Sequence, residues 1–175
     1  MEIIKVRSKM TEKNLKNYLI FDQYYGKPYY IKLRVLLSVA IGVITGIFSQ
    51  DHIGMFVVVT VVCLVVLLWF PKMRIGFKAP QVYRRNRSGA FHQSQDFAFG
   101  ETRVGFKSES EEEYDWTPYH QLNRIIETKT LLIMEYSPQQ RTIMVKDFIE
   151  EEDLEKIRGY FRESIGDKFV TMNRL

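Results

Sequence analysis

Two apolar runs, separated only by Ser49, Gln50, Asp51 and His52, constrain this chain more than any other feature. The second, Ile53 to Phe70, reads IGMFVVVTVVCLVVLLWF and holds no charged residue. As a helix it spans about 27 Å, close to the hydrocarbon thickness of a bilayer. The first is strictly apolar from Val35 to Phe48 and extends back through Ile31, Tyr30 and Tyr29, with Lys32 and Arg34 able to snorkel to the headgroups. From Tyr29 to Phe48 it measures roughly 30 Å. A valine-rich run that is apolar all round needs lipid or protein on every side, and the remaining chain is too short to supply the protein. The pattern predicts a transmembrane helical hairpin over residues 29–70.

The flanks orient this hairpin. Residues 1–34 carry eight Lys or Arg against three acids, and residues 71–90 carry Lys72, Arg74, Lys78, Arg84, Arg85 and Arg87 with no acid. The turn between the runs has only Asp51 as a full charge. The positive-inside rule then places both termini in the cytoplasm of a multi-pass cell-membrane protein. Residues 91–175 are acidic, with eleven Lys or Arg against seventeen Asp or Glu. The net charge of +4 therefore arises beside the membrane, where cations face anionic lipid, and argues against a nucleic-acid partner. The single cysteine, Cys63, lies inside the second run, which leaves no disulfide and no thiol-rich metal site. No signal peptide is expected, because the first apolar run lacks a small-residue cleavage site.

Before the hairpin, residues 1–28 form a cytoplasmic segment. Ile3, Ile4 and Val6 suggest a short strand, suited to a sheet edge. Thr11 is a plausible N-cap for an amphipathic helix from Glu12 to Tyr25, broken by Gly26, Lys27 and Pro28. This helix is suited to lie on the membrane surface, with Tyr24, Tyr25, Tyr29 and Tyr30 as an interfacial belt, and equally to pack on the cytoplasmic domain, and the two placements are compatible. Within the first membrane helix Gly42 and Gly46 form a GxxxG spacing that permits close helix packing. Its nearer partner is the second helix, which offers Thr60 and Cys63, and homo-oligomerisation is the alternative. No acid or cation sits mid-membrane, which argues against a channel or transporter pathway. Pro71 is expected to end the second helix, and residues 71–90 to run as a basic linker along the headgroups.

Residues 91–175 change character. Phe97 and Phe99, Val104 and Phe106, Tyr114 and Trp116, Leu122 to Ile126, Leu131 to Met134 and Ile143 to Val145 mark five or six short strands. The run Glu109 to Glu113 reads as a solvated loop, and Ser137 to Gln140 as a hairpin turn. A helix closes the domain, starting near Asp147 or Glu150, with Leu154, Ile157, Phe161 and Ile165 as its apolar stripe and Gly166 as its stop. Glu150 to Asp153 at its start and Arg158 and Arg162 near its end suit the helix dipole. The fold class is α+β: a two-helix transmembrane hairpin plus a small antiparallel-sheet domain covered by a C-terminal helix.

The order of these segments resembles the YcxB-like family of bacterial membrane proteins. The resemblance rests on MTEKNLKNYLIFDQYY in the N-terminal part and, in the domain, on Trp116, the IIET strand and the terminal VKDFIEEEDLEKIRGYF. It covers nearly the whole chain and is specific in order rather than residue by residue. It implies a bacterial cell membrane and a cytoplasmic domain of pleckstrin-homology-like fold, a curved sheet closed by a helix. It implies no catalytic residues. The polar run Tyr136 to Arg141 and the tail after Gly166 depart from the family pattern.

The residues themselves offer little chemistry. His52, His92 and His120 are far apart, and His120 reads as a hydrogen-bonded strand residue. No HExxH, GxSxG, Walker or GxGxxG pattern occurs. The acidic loop lacks EF-hand spacing, so no metal and no cofactor is expected. Trp116 alternates within its strand as a core residue would, with partner anchoring as the alternative. The expectation is a non-enzymatic, membrane-anchored interaction or regulatory protein that presents its domain to a protein partner. Glu111, Glu112, Glu113, Tyr114 and Tyr119 are the residues expected to meet that partner. The alternative is a sensor of anionic lipid or membrane state acting through Lys72, Arg74, Lys78, Arg84, Arg85 and Arg87. A membrane immunity protein ranks third, because the outer turn is too short to meet an external toxin.

Overall fold

The computed structural model of the chain describes residues 3–26, 29–49, 51–85 and 93–172. They fall into two compact units, one from Met1–Asn17 and Val82–Leu175, the other from Tyr18–Gln81. The expected helix break at Lys27 and Pro28, Gln50 of the turn, Arg87 and His92 lie outside the described residues.

The second unit is helical, and the helices at its two ends each have residues that belong to the first. Helix α1 (Glu12–Phe21) begins at Thr11, whose hydroxyl accepts the Asn14 N–H at 3.2 Å, and ends in a wide turn over Asp22–Gly26 rather than at Tyr25. Helices α2 (Tyr29–Ile47) and α3 (His52–Arg85) are each long and apolar enough to cross a membrane. At the turn between them Asp51 caps α3, accepting the Gly54 N–H at 3.0 Å. His52 Nδ1 lies 2.7 Å from the Gly46 carbonyl oxygen, and since a carbonyl only accepts, that nitrogen carries the proton. Only Ser38, Gly42 and Gly46 of α2 are buried.

Those glycines mark where the two helices touch. A Cβ on Gly42 would stand 1.9 Å from Thr60 Oγ1, and one on Gly46 would stand 3.0 Å from the His52 carbonyl oxygen. The GxxxG spacing is thus used within the hairpin, and both glycines are covered by α3. Replacing Gly42 by leucine is expected to cost ~1–3 kcal/mol of hairpin stability through overpacking. Unfolding in mixed micelles titrated with sodium dodecyl sulfate checks this. Thr60→Ala should recover part of the loss, because Oγ1 is the first atom met.

Pro71 does not end α3. The helix continues through Pro71 and Pro80 to Arg85, so the expected linker over 71–90 is helical for most of its length. A proline removes one backbone donor and crowds the preceding turn, but a helix tolerates this where neighbours re-satisfy the freed carbonyls. The carbonyl left without its helical donor is that of Leu67, four residues before Pro71, and the Tyr24 hydroxyl donates to the next one, Leu68. At 34 residues α3 is about 51 Å long, well beyond a bilayer's hydrocarbon core.

The first unit is built from strands. One sheet has the order β1-β2-β3-β4, from β1 (Ile4–Lys9), β2 (Ser94–Phe99), β3 (Arg103–Ser108) and β4 (Asp115–Pro118), all antiparallel. The N-terminal strand therefore belongs to the same sheet as the residues after the hairpin, with Ile4 opposite Phe99 and Val6 opposite Phe97. A second sheet has the order β7-β6-β5-β8, from β5 (Arg124–Thr128), β6 (Leu131–Glu135), β7 (Arg141–Val145) and β8 (Phe169–Met172). The expectation of one antiparallel sheet is corrected in two ways. There are two sheets, and β8 pairs with β5 in parallel. A parallel neighbour needs a long crossover, which helix α4 (Glu151–Ile165) provides.

Helix α4 starts after Glu150, whose carbonyl accepts the Leu154 N–H, while Asp147 sits in the preceding turn. It stops at Gly166, whose φ of 52° and ψ of −119° suit glycine alone. The core lies between the sheets and beneath α4: Ile4, Phe97, Phe99 and Val104 from one, Ile125, Leu132, Met134 and Met144 from the other, and Ile157 and Phe161 from the helix. Helix α1 adds Leu15, which is buried, and fastens its first turns through Asn14 to Asp147 and Asn17 to Thr130. Its first turns thus pack on the domain, one of the two placements expected for this helix.

Candidate functional site

The residues expected to meet a partner do not form one surface. Tyr119 is fully buried: its hydroxyl donates to the Gly100 carbonyl at 2.8 Å and its ring meets Phe161 edge-on at 5.2 Å. Burial pushes its phenol pKa well above the ordinary value. It is a core residue, placed there because the chain turns inward over Tyr119–Gln121 between β4 and β5. Glu111 folds back on its own loop, its carboxylate accepting the Ser108 N–H at 2.8 Å, and that bond holds its pKa below the usual range. Glu112 and Glu113 remain exposed beside it, and Tyr114 is half-buried.

What the structure brings together is a different set on the outward face of the first sheet. Strand register places Lys5, Ala98, Gly105 and Trp116 in one row. Trp116 is half-buried and not in the core, which corrects the expectation from its alternation. Thr117, opposite Val104, takes the inward position instead. The indole lies against Gly105: a Cβ there would stand 3.0 Å from ring carbons of Trp116, so the bare backbone makes the room. The Arg103 guanidinium sits 4.5 Å from the Trp116 ring centre, and Tyr114 follows at 5.7 Å between ring centres. Lys107 lies 5.2 Å from the Tyr114 ring. Cations held over aromatic faces order all four side chains. Farther along the face Arg7 pairs with Asp96 at 2.8 Å, which lowers the Asp96 pKa through that hydrogen bond despite some desolvation. This ladder stands at the edge strand β4 and ends at the acidic loop. Its sequence signal was Trp116 with Gly105, but only pairing shows that they share a row.

Two buried carboxylates were also missed. Glu127 on β5 accepts from Lys146 and, through both oxygens, from Arg158, with Arg158 Nε at 3.0 Å from Oε2. Burial alone would raise its pKa, but the bonds and charges of Arg158 and Lys146 outweigh that and lower it. Arg158 also reaches Glu151 and Glu155, so its role exceeds the expected dipole contact. Glu135 on β6 is gripped by Arg124 at 3.1 Å and Arg141 at 2.9 Å, one on each neighbouring strand. Its pKa is lowered too: these partners and Asn123 overcome desolvation. Carboxylates held ionised, with their lone pairs taken, are clamps and poor proton carriers. A register drawn symmetrically from the Ser137–Gln140 turn would set Tyr136 opposite Arg141; the observed pairing is shifted by one residue and sets Glu135 there.

His120 is exposed in the turn after β4 and not in a strand, beside an open depression of about 470 Å³ with Glu101 and Glu163. Among the described residues no three His, Cys, Asp or Glu side chains are grouped to hold a metal. A smaller cleft of about 210 Å³ between the ends of β1, β2 and β7 is lined by Ser8, Gln95, Phe106, Arg141 and Thr142. The cationic set Lys72, Arg74, Lys78, Arg84 and Arg85 is exposed along α3. Comparison of the chain with protein-family models, with curated proteins and with solved structures finds no match.

Proposed function

We propose that this chain is a membrane-anchored interaction module, in which the α2–α3 hairpin crosses the membrane with both termini cytoplasmic and the strand-rich unit meets a protein partner. The observation that carries the reading is the Arg103–Trp116–Tyr114–Lys107 ladder at β4, the last strand of the first sheet among the described residues. Tryptophan, tyrosine and arginine are the residues that dominate interface energetics, and an edge strand can pair with a partner strand. Exposed Glu112 and Glu113 add a charged rim.

Insertion is supported by how much apolar surface the helices expose: Leu36, Ile44, Val58 and Trp69 are each more than half exposed. Water would face a patch far larger than soluble monomers tolerate. The cationic flanks favour cytoplasmic termini. A four-stranded sheet, then β5 to β7, then a covering helix supports a pleckstrin-homology-like domain with the hairpin inserted between β1 and β2. That arrangement is what favours kinship with the YcxB-like proteins, and β8 is then an addition to it.

A photo-crosslinking amino acid placed at Glu113 of the full-length protein in cells tests the reading. A discrete adduct is expected. Trp116→Ala should reduce it at least tenfold, since a central tryptophan anchor is worth ~2 kcal/mol or more. Glu112→Lys together with Trp116→Phe should give an intermediate loss. A diffuse crosslinking pattern that Trp116→Ala leaves unchanged would sink the assignment.

A further inference from the structure

We infer that α3 carries a binding site for anionic phospholipid headgroups, formed by Arg74 and Lys78 with Phe77 between them. The inference rests on the membrane-spanning reading above, and on an observation separate from the partner surface. Because α3 continues unbroken past Pro71, these side chains have fixed helical positions rather than those of a loose linker. Arg74 and Lys78 are four residues apart, so they stand one above the other, about 6 Å apart along the axis. Phe77, at 72% exposure, lies on the same side, three residues from Arg74, and exposed Phe70 and Met73 continue that side toward the apolar span.

The charge balance commits the site to an anion. From His52 to Gln95 the chain holds no Asp or Glu, so neither cation has a carboxylate within reach along its helix. Phe70 ends the charge-free run; Arg74 follows it by about 6 Å, within the headgroup layer, and Lys78 by about 12 Å, from which its long side chain leans back toward that layer. A lipid phosphate between the two cations leaves its acyl chains beside Phe70 and Met73, an apolar surface that a soluble phosphate does not use. Arginine supplies the forked donor for phosphate oxygens and lysine a second point charge. Lys32 and Arg34 on α2 are two residues apart and so do not stand one above the other, and Arg34 lies over the Tyr24 ring at 5.9 Å.

The test uses the full chain reconstituted in phosphatidylcholine vesicles with trace spin-labelled phosphatidylglycerol or spin-labelled phosphatidylcholine. The motionally restricted fraction gives the relative association of each lipid. Phosphatidylglycerol is expected to associate several-fold more strongly, and Arg74→Gln with Lys78→Gln to bring that ratio close to one. Lys32→Gln with Arg34→Gln should leave most of the preference. Equal preference for the two lipids in the unsubstituted protein overturns the site, as does an equal loss in both double variants, which would mark a diffuse cationic field. Flotation of the vesicles after alkaline carbonate treatment separates the two readings. Protein that fails to float removes both the span and this site, whereas protein that floats without lipid preference removes the site alone.

Discussion

Replacing Phe161 by alanine should cost the strand-rich unit ~3–5 kcal/mol, the largest loss expected from any single core truncation here. Phe161 is fully buried and lies on α4 where both sheets converge. Its ring meets Phe99 from the first sheet at 6.0 Å, Tyr119 from the inward turn at 5.2 Å, and Phe169 of β8 at 5.4 Å. Removing it empties a space bordered by three rings, Phe99 and Phe169 fixed by strand pairing and Tyr119 by its bond to the Gly100 carbonyl, so collapse around the cavity is limited. Since folded domains are stable by only ~5–15 kcal/mol, such a loss approaches the whole margin. Thermal unfolding of the full-length protein in detergent, followed by near-ultraviolet circular dichroism, reads this directly. Phe161→Leu should retain most of the stability. If alanine shifts the transition no more than leucine does, Phe161 does not join the sheets as described.

Glu127→Ala should come close to that effect, at ~2–4 kcal/mol, by a different route. Removing one member of a buried ionic cluster leaves the others uncompensated, which typically costs ~3–5 kcal/mol. The lower figure allows for Lys146 and Arg158, whose side chains keep 11% and 17% exposure and can regain some water. The exposed Glu152, paired with Lys156 four residues on, serves as comparator: Glu152→Ala should cost well under ~1 kcal/mol. Urea unfolding of both variants decides between a clamp and a dispensable pair.

The same carboxylates fix the direction of the pH response. Glu127 and Glu135 have folded-state pKa values below the ordinary 4.5. A depressed value means that the unfolded chain binds protons more readily, so the contribution is complete above pH ~4.5 and is lost as pH falls through the lower, folded values. Acid sensitivity of the strand-rich unit should therefore be reduced in Glu127→Ala, which has already forfeited part of it.

The hairpin was legible because its signal is one-dimensional. Run length, absence of charge and flanking cations are all read along the chain, and so are Thr11 as a cap, Gly166 as a stop and the Ser137–Gln140 turn. The end of α3 was not legible, because Pro71 breaks a helix only if its neighbours leave the opened backbone unsatisfied. Tyr24, which bonds the Leu68 carbonyl beside the opened one, is 44 residues distant from it in the chain.

The candidate site divides in the same way. Alternation told that Trp116 and Thr117 face opposite sides of a strand, but not which side the second sheet and α4 would cover. Tyr119 carries the composition of an interface residue and is a core residue, because a turn rather than a periodicity directs it inward. Glu127 and Glu135 sit in strands that read as apolar, and their burial is tolerable only where Lys146, Arg158, Arg124 and Arg141 converge on them. By itself the sequence determined what is local: element type, the membrane-length helices and where charge accumulates. Tertiary structure alone decided the pairing of β1 with β2 across the hairpin, the parallel return of β8 and the face on which each aromatic stands. Those depend on contacts between residues distant in the chain, whose closure no local pattern encodes.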